Sequence, residues 1–141
     1  MGRIVAIDYG KKRVGIAVSD PGKIIATGLA TVLSHEIFDY LQTYASRETI
    51  DLFVVGHPKQ LNNQDSDSMI YIKPFLTGLK RKFPTIPIVM YDERFTSVLA
   101  HQALLEGGAK KKTRQNKALI DTMSATIILT SYMEQQRNLT I

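Results

Sequence analysis

Two short apolar-rich runs open the chain, Arg3–Tyr9 (RIVAIDY) and Arg13–Ser19 (RVGIAVS), with only Gly10-Lys11-Lys12 between them. β-Branched residues on both sides of a Gly-led connection predict a hairpin. Asp20-Pro21-Gly22 is a turn signal, and Lys23–Leu33 is expected to resume as a third strand. Ser34 is placed to cap a helix that runs to about Arg47, with Ile37, Leu41 and Tyr44 on its buried stripe. Ile50–Gly56 (IDLFVVG) is continuously apolar after Asp51, the pattern of a strand covered on both faces.

A polar loop is expected over His57–Asp67. A second helix follows it to about Phe83, with Ile72, Phe75, Leu76 and Leu79 on one side and Pro74 predicting a kink or a late start. Ile86–Tyr91 (IPIVMY) reads as another buried strand, ending at Asp92-Glu93-Arg94. Thr96 is placed to cap a third helix that stops at Gly107-Gly108, and a last helix runs from near Gln115 to about Gln135. The resulting order is βββαβαβα, an α/β chain with no repeat and no linker. An antiparallel opening followed by βα units implies a mixed five-stranded sheet with helices on both faces, in one domain spanning residues 1–141. In such sheets functional groups collect at the carboxyl ends of the central strands.

Composition narrows the class. With no Cys among 141 residues, a disulfide scaffold and a Cys-based zinc site are excluded. No apolar run approaches the ~20 residues that span a bilayer, and Met1–Asp8, with its early charge, does not have the pattern of a signal peptide. A cytoplasmic globular domain is expected. The net charge of +5 is uneven, −1 over residues 1–70 and +6 over residues 71–141. Lys110, Lys111, Lys112, Arg114 and Lys117 lie together with no acid between them. Such a cluster suits a polyanion, because each neutralised phosphate releases counterions; a solvated loop is the plain alternative.

Three acids stand where carboxylates are costly. Asp8 closes the first apolar strand, next to Tyr9-Gly10, and needs a partner or a metal to offset desolvation. Asp92 and Glu93 close another; successive strand residues point to opposite faces, so only one of them can share a site with Asp8. Asp121 is the sole acid between Gly107 and Met133, and its helical neighbours Ala125, Ile128 and Tyr132 place it on an apolar stripe. If these acids converge, they offer the hard oxygen ligands that Mg²⁺ prefers, with positions left for phosphate oxygens. Carboxylates for metal beside a basic loop for phosphate make up the parts of a metal-dependent nuclease. The plain readings are a turn-forming Asp8 and a helix-start charge at Asp92 or Glu93.

The motifs resemble those of the YqgF (RuvX-type) family, small members of the ribonuclease-H-like superfamily described as Holliday junction resolvases and as nucleases that trim the 5′ end of pre-16S rRNA. The segment from Asp8 to Asp20 is similar to the family's D-x-G-x-K-R-x-G-x-A-x-S-D, Asp92–Thr96 to its D-E-R-x-[ST], and Lys110–Ala125 to its basic stretch and last acidic helix. The resemblance implies a ribonuclease-H-like fold and a phosphodiester hydrolase. It implies Asp8, Glu93 and Asp121 as catalytic, metal-binding carboxylates for Mg²⁺ or Mn²⁺, with Asp92 as the second choice for the middle position. Lys12, Arg13, Lys110, Lys111, Lys112 and Arg114 would contact nucleic acid. Two departures stand out: the stretch from Gly56 to Ser66 lacks the family's later glycines, and Thr122 follows Asp121 where the family often has Lys.

Structured RNA, most of all an rRNA precursor, is the first substrate expected. A four-way DNA junction is the second, which calls for a two-fold dimer rather than a monomer. A nucleic-acid-binding factor with a silent site is the third. An actin-like ATPase would need a second domain for which there is no room. His57 is read as a loop histidine or a proton shuttle, Tyr9 as a sheet residue or a stacking platform, and His35 and His101 receive no role.

Overall fold

The computed structural model describes residues 2–57, 69–93 and 117–139. The elements are β1 (Arg3–Tyr9), β2 (Arg13–Ser19), β3 (Ala26–Leu33), α1 (Ile37–Ala45), β4 (Ile50–His57), α2 (Met69–Lys82), β5 (Ile88–Asp92) and α3 (Lys117–Leu139). They build a five-stranded mixed sheet in the order β3-β2-β1-β4-β5. β1 and β2 form the expected antiparallel hairpin, and β2 pairs antiparallel with β3. β4 joins the other side of β1 in parallel, and β5 runs parallel to β4. The mixed α/β architecture read from the sequence is therefore the one observed.

Strand alternation splits the core in two. Val5, Ile7, Phe53 and Val55 face α1 and α2, where Ile37, Leu41, Ile72, Phe75 and Leu79 cover them. Ile4, Ala6, Ala17, Val54 and Tyr91 face α3, where Ala125, Ile128, Leu129 and Met133 close the second layer. This double cover explains why β1 and β4 read as nearly continuous apolar runs. Among the described residues, no helix is long and apolar enough to cross a membrane.

Several boundaries differ from expectation. β3 starts at Ala26 rather than Lys23, because the Asp20 carboxylate accepts the backbone N–H groups of Gly22, Ile24 and Ile25 and holds that stretch as a loop. These bonds keep the Asp20 carboxyl below its ordinary pKa. Ser34 does not cap α1: a 3₁₀ turn over Ser34–Glu36 intervenes, and Glu36 precedes the helix without a side-chain cap. The Ser34 hydroxyl donates instead to the carbonyl of Gly10 at 2.7 Å. His57 belongs to β4 rather than to a loop, β5 begins at Ile88, and Pro74 stands inside α2. The helix expected from Thr96 to Gly107 lies outside the described residues.

Candidate nuclease site

β1 ends at Asp8-Tyr9, β4 at Gly56-His57 and β5 at Tyr91-Asp92, all on one edge of the sheet. Alternation assigns each side chain a face. Asp8 follows Ile4 and Ala6 onto the α3 face. Asp92 follows Ile88 and Met90, which pack with the α1/α2 layer, and it pairs in register with His57. Asp92 and His57 thus end up opposite Asp8.

Glu93, one residue beyond β5, returns to the α3 face. The position of its carboxyl is fixed by Gly56: a Cβ added there would stand 3.2 Å from the carboxyl carbon of Glu93 and 2.7 Å from Cδ1 of Ile128. Gly56 neighbours β1 through the parallel register that pairs Ile7 with Val55. The Glu93 carboxyl therefore lies about one strand spacing, ~5 Å, from the column that carries Asp8. Burial and the charges of Asp8 and Asp92 push the Glu93 carboxyl up to about 7 from its ordinary 4.5. A carboxyl in this setting resists ionisation until a cation relieves the crowding.

α3 is the element that carries residue 121. Ile128 reaches Gly56, and Tyr132 meets Tyr91 edge-on with ring centroids 6.4 Å apart, so this stripe of the helix looks toward β4 and β5. Position 121 lies on the same stripe, seven residues or two turns before Ile128. The adjacent Thr122 hydrogen-bonds Thr31 of β3 across 2.5 Å. Thr31 pairs with Gly15, and Gly15 pairs with Asp8. One row across the sheet thus links the α3 turn carrying residue 121 to Asp8.

The side chain of Asp121 falls outside the described residues, as do Lys110, Lys111, Lys112 and Arg114. Among the described residues no three metal-ligating side chains gather; Asp8 and Glu93 share the α3 face at the carboxyl edge of the sheet. Their all-oxygen donor set and the raised Glu93 carboxyl fit a hard divalent cation. Lys12 stands in the β1–β2 turn and Arg13 starts β2, two residues before Gly15, the register partner of Asp8. Gly56, Thr31 and Thr122 join the site only through the fold; the sequence signals are a glycine after the apolar run Leu52–Val55 and a Thr after Asp121.

The sequence model of the RuvX family, described as Holliday junction resolvase, matches residues 2–135. The chain belongs to the RuvX family. A relative from Phocaeicola vulgatus, named "Putative pre-16S rRNA nuclease", is 58% identical over 137 residues, covering 97% of this chain and 99% of the relative. Another from Parabacteroides distasonis, with the same name, is 59% identical and covers 97% and 98%. The fold is shared with T. thermophilus RuvC solved in complex with a Holliday junction substrate, at TM-score 0.58, 14% identity and 96% coverage of each chain. It is shared also with the Fowlpox virus resolvase solved with Holliday junction DNA, at TM-score 0.56, 13% identity and coverage of 95% and 98%. The RuvX fold is thus that of the ribonuclease-H-like resolvases expected from the motifs.

Proposed function

We propose that this RuvX protein is a cytoplasmic, divalent-metal-dependent endonuclease that hydrolyses phosphodiester bonds of structured RNA, in particular at the 5′ end of pre-16S rRNA. The observation that carries this reading is the Glu93 carboxyl, held over Gly56 on the face of Asp8 and pushed up to about 7. Relatives of the same length that bear the pre-16S rRNA nuclease name support the choice of substrate.

Asp8, Glu93 and Asp121 would hold Mg²⁺ or Mn²⁺, which when bound supplies an activated water and stabilisation of the leaving oxygen. The protein's own contribution is placement. Asp8 ends β1 and Glu93 follows β5 at the rim of the sheet, and α3, tied to β3 through Thr122, would bring Asp121 to them. Lys12, in the turn after β1, and Arg13, at the start of β2, would meet the phosphates of the strand to be cut. Lys110, Lys111, Lys112 and Arg114 would add sequence-independent phosphate contacts.

The deciding experiment is cleavage of labelled pre-rRNA and of four-way junctions side by side, by the parent, Asp8→Asn, Glu93→Gln and Asp121→Asn. Metal-dependent cutting of the RNA by the parent, with each variant reduced by several orders of magnitude, is the expected result. Variants that cut as fast as the parent would remove the assigned site. The family description and the shared fold favour a second reading, a DNA junction resolvase with the same chemistry. Paired cuts across a symmetric junction then require a two-fold dimer. Preferential cutting of the junction by a dimer in solution decides for it. Binding without cleavage on any substrate, at all metal concentrations, leaves the third reading, a silent nucleic-acid-binding factor.

A further inference from the structure

The carboxyl edge of the sheet has a second side. Asp8 faces α3, and the next residue, Tyr9, packs with the α1/α2 layer, its ring stacked on Phe75 at a centroid distance of 4.4 Å. Beside it lies a groove of about 550 Å³ lined by Tyr9, Lys11, Lys12, Leu33, Ser34 and His35. The groove is built from fixed backbone. Gly10 N–H donates to the carbonyl of Arg13, and Ser34 N–H donates to that of Lys12. The Ser34 hydroxyl ties the far wall to Gly10. Lys11 is not a free tether either, since its ammonium lies 5.4 Å from the centroid of the Tyr71 ring on α2. Such a contact holds the charge in place at low entropic cost. The lining carries Lys11, Lys12 and the exposed His35 imidazole; Glu36, with its carboxylate 3.8 Å from His35, is the nearby acid.

We propose that this groove holds the backbone phosphates flanking the scissile position, so that the bound strand crosses the edge of the sheet from the α3 face to the α1/α2 face between Asp8 and Tyr9. The inference rests on the nuclease reading and adds a path to it. Consecutive residues of one strand point to opposite faces, so the carboxylates and the groove are separated by the thickness of β1 alone. Lysine ammonium groups read phosphate as point charges, without base identity, and the ligand is the phosphodiester backbone of RNA or DNA alike. Tyr71 acts as a positioning residue for Lys11.

The test is a fluorescence-anisotropy titration of the full chain with single-stranded RNA and DNA of one sequence, in chelator and over a range of KCl, so that binding is read without cleavage. Lys11→Met is expected to weaken binding of both strands about three- to tenfold and to lower the slope of log K against log salt by about 0.7. Tyr71→Leu keeps the charge but releases it, and is expected to weaken binding with an unchanged slope. Lys23→Met is the reference: Lys23 pairs with Asp51 at 2.8 Å at the opposite end of the sheet, and its loss should leave affinity and slope as in the parent. Parental binding by Lys11→Met, or a loss no larger than that of Lys23→Met, would overturn the groove. If Asp8→Asn binds but does not cut while Lys11→Met binds like the parent, the groove fails and the nuclease reading stands. If the parent binds neither strand, the groove fails, and the nuclease reading is decided separately by cleavage of structured RNA and four-way junctions.

Discussion

The hydroxyl oxygens of Thr31 and Thr122 lie 2.5 Å apart and join β3 to α3 one residue after Asp121. Gly28 on the same strand leaves the room this approach needs, since a Cβ there would stand 2.5 Å from Cγ2 of Thr122 and 3.2 Å from Oγ1 of Thr126. Thr126 in turn donates to the carbonyl of Thr122. The contact sets where the first described turns of α3 cross the sheet, in the row that contains Asp8. Where the family often has Lys after the acid, this chain exchanges a cation for a tie to β3. Thr122→Val keeps the shape and removes the bond. It should cost about 0.5–1.5 kcal/mol of stability and, by loosening residue 121, about tenfold or more in kcat. Thr122→Ser should restore most of that loss. Thermal unfolding together with cleavage rates checks this: a stability loss with full kcat would make the contact merely structural.

Gly56 bears on the same carboxylates from below. Its missing side chain is filled by Cδ1 of Ile128 and the carboxyl of Glu93. Gly56→Ala forces both to move. Cδ1 of Ile128, on the buried face of α3, must shift, and the Glu93 carboxyl must give by a few tenths of an ångström. The expected outcome is a loss of stability of about 1–3 kcal/mol and weaker activation by Mg²⁺, read as a higher metal concentration at half-maximal rate. Parental metal dependence in a folded Gly56→Ala protein would count against Glu93 as a ligand.

Burial and two neighbouring acids raise the Glu93 carboxyl to about 7 in the folded chain, against 4.5 ordinarily. Between those values the folded chain keeps a proton that the unfolded chain releases. This group's contribution to metal-free stability is therefore full below about 4.5 and is lost as pH rises through about 7. The ceiling is on the order of 1–3 kcal/mol, reduced by residual solvent contact. Glu93→Gln should flatten that decline and melt above the parent at about pH 8 in chelator. Added Mg²⁺ should raise the melting temperature of the parent more than that of the variant. Calorimetry at about pH 5 and pH 8, with and without metal, reads both effects. An equal decline in parent and variant would show that Glu93 is not the group responsible.

The strands were legible wherever burial on both faces left long apolar runs, as in Val5–Ile7 and Phe53–Val55. The α1 stripe of Ile37, Leu41 and Tyr44 was legible because its period is local. Ser34 does not act as the cap its local pattern predicts because its hydroxyl finds an acceptor at Gly10, twenty-four residues away, and a local pattern carries no trace of that bond. Which of Asp92 and Glu93 shares a face with Asp8 depends on the phase of β5. That phase is set by pairing Val54 with Val89 and Gly56 with Tyr91, a tertiary fact. The same holds for Lys11 over Tyr71 and for Thr31 against Thr122, where residues of ordinary type become informative only once the sheet places them together.

The basic segment Lys110–Arg114 gives the last prediction. It carries no acid, and the chain's excess positive charge is concentrated in its half of the sequence. If it tracks the phosphate backbone, its contribution is counterion release, additive over charges and independent of sequence. Replacing Lys110, Lys111 and Lys112 together by Gln should lower the salt slope of single-strand binding by about 2 and raise KM at moderate salt, with kcat at saturation near the parental value. Combined with Lys11→Met, the losses in binding free energy should add, because the two sets of charges would contact different phosphates of one strand. A slope unchanged by the triple replacement removes the segment from the interface. A loss in the combined protein no greater than in either parent variant would mean that the two sets compete for the same phosphates, and the strand path across the sheet edge would have to be redrawn.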